Sequence, residues 1–101
     1  MADQMLGILV TKHANLEHIT GAAKAARTAG HPVTMFLTDE GVKFTKDARF
    51  LELLEVGGIE ISVCDHSCER IGLHDKAGGI SYGSQYNNAG VLHDSARVLV
   101  F

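Results

Sequence analysis

The sequence predicts an α/β fold: a three-layer α/β/α sandwich around a mostly parallel sheet of about five strands. Two observations carry this. The runs Met5-Leu6-Gly7-Ile8-Leu9-Val10 and Val33-Thr34-Met35-Phe36-Leu37-Thr38 are almost unbrokenly apolar, as strands buried on both faces are. Between them Leu16, Ile19, Ala22, Ala23, Ala26 and Ala29 recur at helical spacing, and strands alternating with helices imply right-handed crossovers and a parallel sheet. With 101 residues, 46% of them apolar, the chain has the size of one domain, residues 1–101, with one core.

Met5–Val10 forms the first strand. Asn15 is a good N-cap for the helix that follows, which Gly30 and Pro32 stop. The second strand, Val33–Thr38, ends in a turn at Asp39-Glu40-Gly41. Thr45 or Asp47 caps a second helix whose apolar face is Phe50, Leu51, Leu53, Leu54 and Val56, and Gly57-Gly58 ends it. The third strand runs from Ile59 to Val63. Its Glu60 and Ser62 alternate with apolar residues, which places it near a sheet edge or under poor cover. A short helix follows Cys64 as far as Gly72. Leu73–Gly83 is rich in glycine and polar residues and holds a short strand near Ile80–Tyr82. Ser84–His93 reads as a helix despite the poor helix formers Asn87, Asn88 and Gly90. Ala96–Phe101 is the final strand.

Bulk properties exclude several function classes. A net charge of −3, with no Trp, gives no electrostatic or stacking basis for a nucleic-acid or anionic-membrane partner. The longest apolar stretches, about six residues, are too short for a transmembrane helix. Met1-Ala2-Asp3-Gln4 lacks the basic start of a signal peptide. A cytoplasmic location is therefore expected, where two cysteines stay reduced. No Gly-x-Gly-x-x-Gly or phosphate loop follows the first strand, which argues against nucleotides, and Thr11-Lys12-His13 lacks the acidic pair of a phospho-acceptor domain.

In open parallel sheets, sites form beyond the carboxyl ends of the strands. Those ends supply Thr11, Lys12 and His13, then Thr38, Asp39 and Glu40, then Cys64 and His66, with Tyr82 or Ser84 joining them. Cys64 stands out because a strand delivers it onto the start of a helix. Backbone N–H groups there favour the thiolate, the reactive form of sulfur. His66 and Arg70 favour it too, while Asp65 opposes it. The plain alternative is a cysteine that serves as a small hydrophobe. Cys68 lies four residues on and is either a second, resolving thiol or a half-buried helix residue. Cys64, His66 and Cys68, with His74 beyond, also suggest a metal-binding or redox-sensing module, although one cysteine pair at this spacing is a poor zinc pattern; no metal is assigned. His13 is either a base or anion contact or a solvated loop residue, and no organic cofactor is required.

Three segments resemble the DsrE/DsrF-like (TusD-like) sulfur-relay family. Ala29 through Val42 looks like its second-strand signature. Cys64 through Arg70-Ile71-Gly72-Leu73 resembles its cysteine segment, in which a strand-end cysteine precedes an Arg-x-Gly element. Ser95 through Phe101 is similar to its last strand. The resemblance implies a flavodoxin-like sheet of five parallel strands and assembly as a homotrimer, hexamer or mixed oligomer. It also implies that Cys64 accepts sulfane sulfur as a persulfide, from a donor protein and for an acceptor protein, in sulfur oxidation or tRNA thiolation. His66, Arg70, His13 and Tyr82 are then candidates for the pocket wall. From a different class comes the alternative of a non-catalytic oligomeric binding or assembly subunit.

Overall fold

The computed structural model describes residues 4–101, apart from the side chains of Gln85 and Asn87; residues 1–3, on which the reading of the amino terminus rests, lie outside the described residues. Five strands make one sheet: β1 (Leu6–Val10), β2 (Val33–Leu37), β3 (Ile59–Cys64), β4 (Ser81–Gly83) and β5 (Arg97–Val100). Their spatial order is β4-β3-β2-β1-β5, and every pairing is parallel. The register sets Leu6 opposite both Val33 and Arg97, Val33 opposite Ile59, and Cys64 opposite Gly83.

From β1 to β4 the chain steps across the sheet in one direction, so right-handed crossovers put every connection on one face. These are α1 (Leu16–Thr28), 3-10 turns over Asp39–Lys46, α2 (Ala48–Leu51), a further 3-10 turn at Glu52–Glu55, and α3 (Asp65–Ile71). Beneath them lies the main core, in which Ile8, Val10, Val33, Met35, Leu37, Ile61 and Val63 of the sheet meet Ile19, Phe44, Phe50, Leu53 and Cys68. Phe44 and Phe50 stack with centroids 5.0 Å apart, each burial stabilising the fold by roughly 1.5–3 kcal/mol. After β4 the chain must travel back to the far side of β1. That reversal places α4 (Gln85–Asp94) on the opposite face. The three layers are thus unequal, since α4 alone covers the second face, where Val91 packs on Phe36, Cys64 and Leu9.

Local chemistry explains most element boundaries. Asp47 caps α2, its carboxylate accepting from the N–H groups of Arg49 (2.9 Å) and Phe50 (3.4 Å). The Asn15 cap differs from expectation: the residue precedes α1 with φ 65° and makes no side-chain capping bond, using its tolerance of the left-handed region instead. The expected turn at Asp39-Glu40-Gly41 is the start of a longer run of 3-10 turns reaching Lys46. Gly41 lets that run pass over the end of β1, because a Cβ there would collide with the carbonyl oxygen of Val10. β3 is next to the edge, flanked on its outer side only by the three-residue β4, as its polar alternation anticipates.

Candidate functional site

A parallel sheet opens a crevice where neighbouring strands send their continuations to opposite faces. Here that point falls between β3 and β4. The chain leaves Cys64 into α3 on the main-core face, and leaves Gly83 towards α4 on the other. A cleft of about 870 Å³ lies at this point. The ends of β3 and β4 supply Cys64, Tyr82, Gly83 and Ser84 to it. The first turns of α3 supply Asp65, His66, Ser67, Glu69 and Arg70, and the end of β2 supplies Thr38 and Asp39.

Cys64 is both the last residue of β3 and the N-cap of α3, with extended backbone at φ −77° and ψ 111°. It is only 3% exposed, set between the cleft and the cluster of Phe36, Val91 and Leu9. Its cross-strand neighbour is Gly83, so β4 contributes no side chain beside the thiol. A strand glycine is compatible with close approach by a ligand or another backbone. The first N–H groups of α3 lack carbonyl partners within the helix and direct positive partial charge towards this end.

The far wall is a hydrogen-bonded network. Ser67, buried, accepts the N–H of Asp39 at 3.1 Å, and its hydroxyl lies 3.3 Å from that of Thr38. Asp39 has φ 51°, a left-handed backbone uncommon outside glycine. Its carboxylate accepts from the guanidinium of Arg70 at 3.1 Å. On the opposite wall the phenolic oxygen of Tyr82 accepts the N–H of Ala77 at 2.7 Å, and the Lys76 ammonium lies 5.2 Å from the Tyr82 ring centroid. Lys46 donates to the carbonyl of Asp75 at 3.3 Å. The segment between α3 and β4, the least legible in the sequence, is thereby tied to the cleft wall.

Of the residues singled out in the sequence, Cys64, His66, Arg70 and Tyr82 meet in this cleft. His13 does not line it. β1 lies two strands from β3, and the His13 ring packs edge-on against Phe44 at 4.7 Å. Nor does Cys68, which is 1% exposed in the main core. Burial pushes its thiol pKa up, reinforced by the negative charge of Asp65 and the nearby Cys64. The two cysteines form no disulfide and belong to clusters on opposite faces of the sheet. Cys64, His66 and Cys68 do not converge on a metal position: among the described residues no three His, Cys, Asp or Glu side chains are grouped to hold an ion. Ser67 carries part of the wall without having been singled out. Its signal was a small polar residue one turn beyond Cys64, on the side of α3 that faces the end of β2.

No helix among the described residues is long and apolar enough to cross a membrane. No curated protein matches the chain. Among solved structures, the crystal structure of the ychN protein from E. coli superposes with a TM-score of 0.73 at 13% identity, over 98% of this chain and 99% of that one. At that identity the likeness is one of fold, and it covers the whole five-stranded arrangement. The family model for the DsrE/DsrF-like family matches residues 4–101, a span that includes every strand, the cysteine segment and the cleft. The chain belongs to the DsrE/DsrF-like family.

Proposed function

We propose that this chain is a small sulfur carrier, or sulfurtransferase, in which Cys64 holds sulfane sulfur as a persulfide. The observation that carries the reading is the placement of Cys64 at the switch point of the sheet, lining a cleft with a glycine as its cross-strand neighbour. The Cys64 thiolate attacks the outer sulfur of a donor persulfide, R–S–SH. The donor S–S bond breaks, R–S⁻ leaves, and Cys64–S–SH remains. An acceptor thiolate then attacks that outer sulfur and Cys64 departs as thiolate, so the two steps balance without oxidant or cofactor. The start of α3 and the side chains of His66 and Arg70 favour the anionic sulfur, and Tyr82 forms the wall facing them.

The partners in this reading are a donor and an acceptor protein, each presenting a cysteine, in the cytoplasm. The chain itself assembles as a homotrimer or hexamer, or with a related subunit. The face covered by α4 alone, where Tyr86 is 86% and Val100 64% exposed, is the surface this reading assigns to assembly. The same observation favours a second reading, an oligomeric binding subunit in which Cys64 is a core residue only.

Intact-mass measurement after incubation with a persulfide donor separates the two. The relay reading expects a gain of one sulfur atom in the wild type and in Cys68→Ser, and none in Cys64→Ser. An adduct that survives Cys64→Ser removes Cys64 from its role, and a wild-type oligomer that gains no sulfur favours the binding subunit.

A further inference from the structure

Arg70 is the one permanently cationic side chain among the described residues that line the cleft, and its charge is already engaged. Asp39 stands beside it on the same wall, carboxylate to guanidinium at 3.1 Å. The placement of Asp39 is built rather than incidental. Its backbone is held at φ 51°, with its N–H donated to Ser67 at 3.1 Å, and Ser67 is 4% exposed with its hydroxyl 3.3 Å from that of Thr38. An ion pair this exposed, at 55% and 61% for the two side chains, adds little to stability, and the left-handed region, which aspartate tolerates better than most residues, adds none. Stability therefore does not account for the arrangement.

We infer that Asp39 is a positioning residue which, anchored by Ser67, holds the Arg70 guanidinium neutralised at the cleft mouth and thereby restrains the reactivity of Cys64. This rests on Cys64 being the reactive group of the proposed relay. Among the described residues that line the cleft, the charged and titratable groups are Asp65, His66, Glu69 and Arg70 from α3, Asp39 from the end of β2, and Tyr82 from β4; α4 presents the apolar Val91 to Cys64. Among these described lining residues, three carboxylates stand against one guanidinium, which Asp39 occupies. Removing the Asp39 charge leaves Arg70 free to favour the thiolate or the persulfide anion across the cleft they both line, since a nearby unopposed cation favours the charged form of an acidic group.

The test is the pH profile of Cys64 alkylation by iodoacetamide, a neutral probe, with the modified peptide identified by mass. Asp39→Asn keeps the backbone, because asparagine tolerates the left-handed region. It is expected to move the profile to lower pH by about half a unit, which is about a threefold faster reaction at pH 7. In an Arg70→Gln background most of that gain disappears. Ser67→Ala, which frees the Asp39 backbone, moves the profile in the same direction. An unchanged profile in Asp39→Asn overturns the inference, and so does a gain of equal size with and without Arg70. Because the readout follows the thiol and not sulfur transfer, a protein that takes up no sulfur leaves this result intact, and the two failures stay distinct.

Discussion

Four residues separate Cys64 from Cys68, and the sheet gives them opposite fates. Cys64 ends a strand whose even positions face α4 and the cleft, whereas Cys68 turns into the main core with Phe44 and Phe50. The sequence marks Cys64 through its position at a strand-to-helix junction. It leaves Cys68 ambiguous, because helical spacing alone does not say which side of α3 meets the sheet. Two predictions belong to this scale. Gly83→Val puts a branched side chain beside Cys64, so sulfur uptake by intact mass falls at least tenfold while the thermal midpoint moves by only a few degrees. The raised pKa of Cys68 has a definite sign: the unfolded thiol releases its proton first as pH rises, so the folded state loses stability above about pH 9, the ordinary thiol range. Urea unfolding between pH 8 and pH 10 shows that decline in the wild type, and a shallower one in Cys68→Ala.

Among the elements, those with an unbroken chemical signal are the ones the sequence shows well. β1 and β2 are near-continuous apolar runs, and Asp47 caps α2 with the side-chain bonds its type predicts. Asp47→Ala should therefore cost about 1 kcal/mol, read as a lowered urea midpoint at unchanged slope. The 3-10 run Asp39–Lys46 was not legible. Its course depends on Asp39 adopting a positive φ and on Gly41 lying against Val10, and both are tertiary facts without periodicity. Gly41→Ala tests this, since its methyl would displace either the run or the end of β1; a loss of about 1–3 kcal/mol is expected, with Gly21→Ala, where nothing lies within 4 Å, as the neutral or stabilising control. α4 shows the reverse conflict. Its Asn and Gly residues disfavour helix, yet the crossover from β4 to β5 and the packing of Val91 on the sheet impose one.

At the scale of the whole molecule, the site follows from topology more than from any motif. A chain that steps one way across the sheet for four strands and then doubles back must change faces after β4, and the cleft is the geometric residue of that change. This is why Thr11, Lys12 and His13, at the end of a different strand, share the edge with the cleft without entering it. The same reversal leaves one helix to cover the second face, so the proposed assembly surface and the lining of Cys64 both depend on α4. Paired substitution of Tyr86→Ser and Val100→Ser is expected to lower the molar mass measured by sedimentation to that of the single chain, without changing far-ultraviolet circular dichroism. An unchanged mass places the interface elsewhere.

The pairing of β5 with β1 has a kinetic meaning. Thr11 donates its side-chain hydroxyl to the carbonyl of Phe101, 90 positions away, and Leu6–Leu9 lie in register with Arg97–Val100. During synthesis β1 leaves the ribosome well before its partner β5, and it stays an unpaired, strongly apolar edge on that side until Arg97–Val100 emerge. While the elements between β1 and β5 are made, one edge of a strongly apolar strand is thus left open. Chains interrupted before residue 97 should be bound by chaperones or aggregate, and completion of the last strand is the event that closes the sheet.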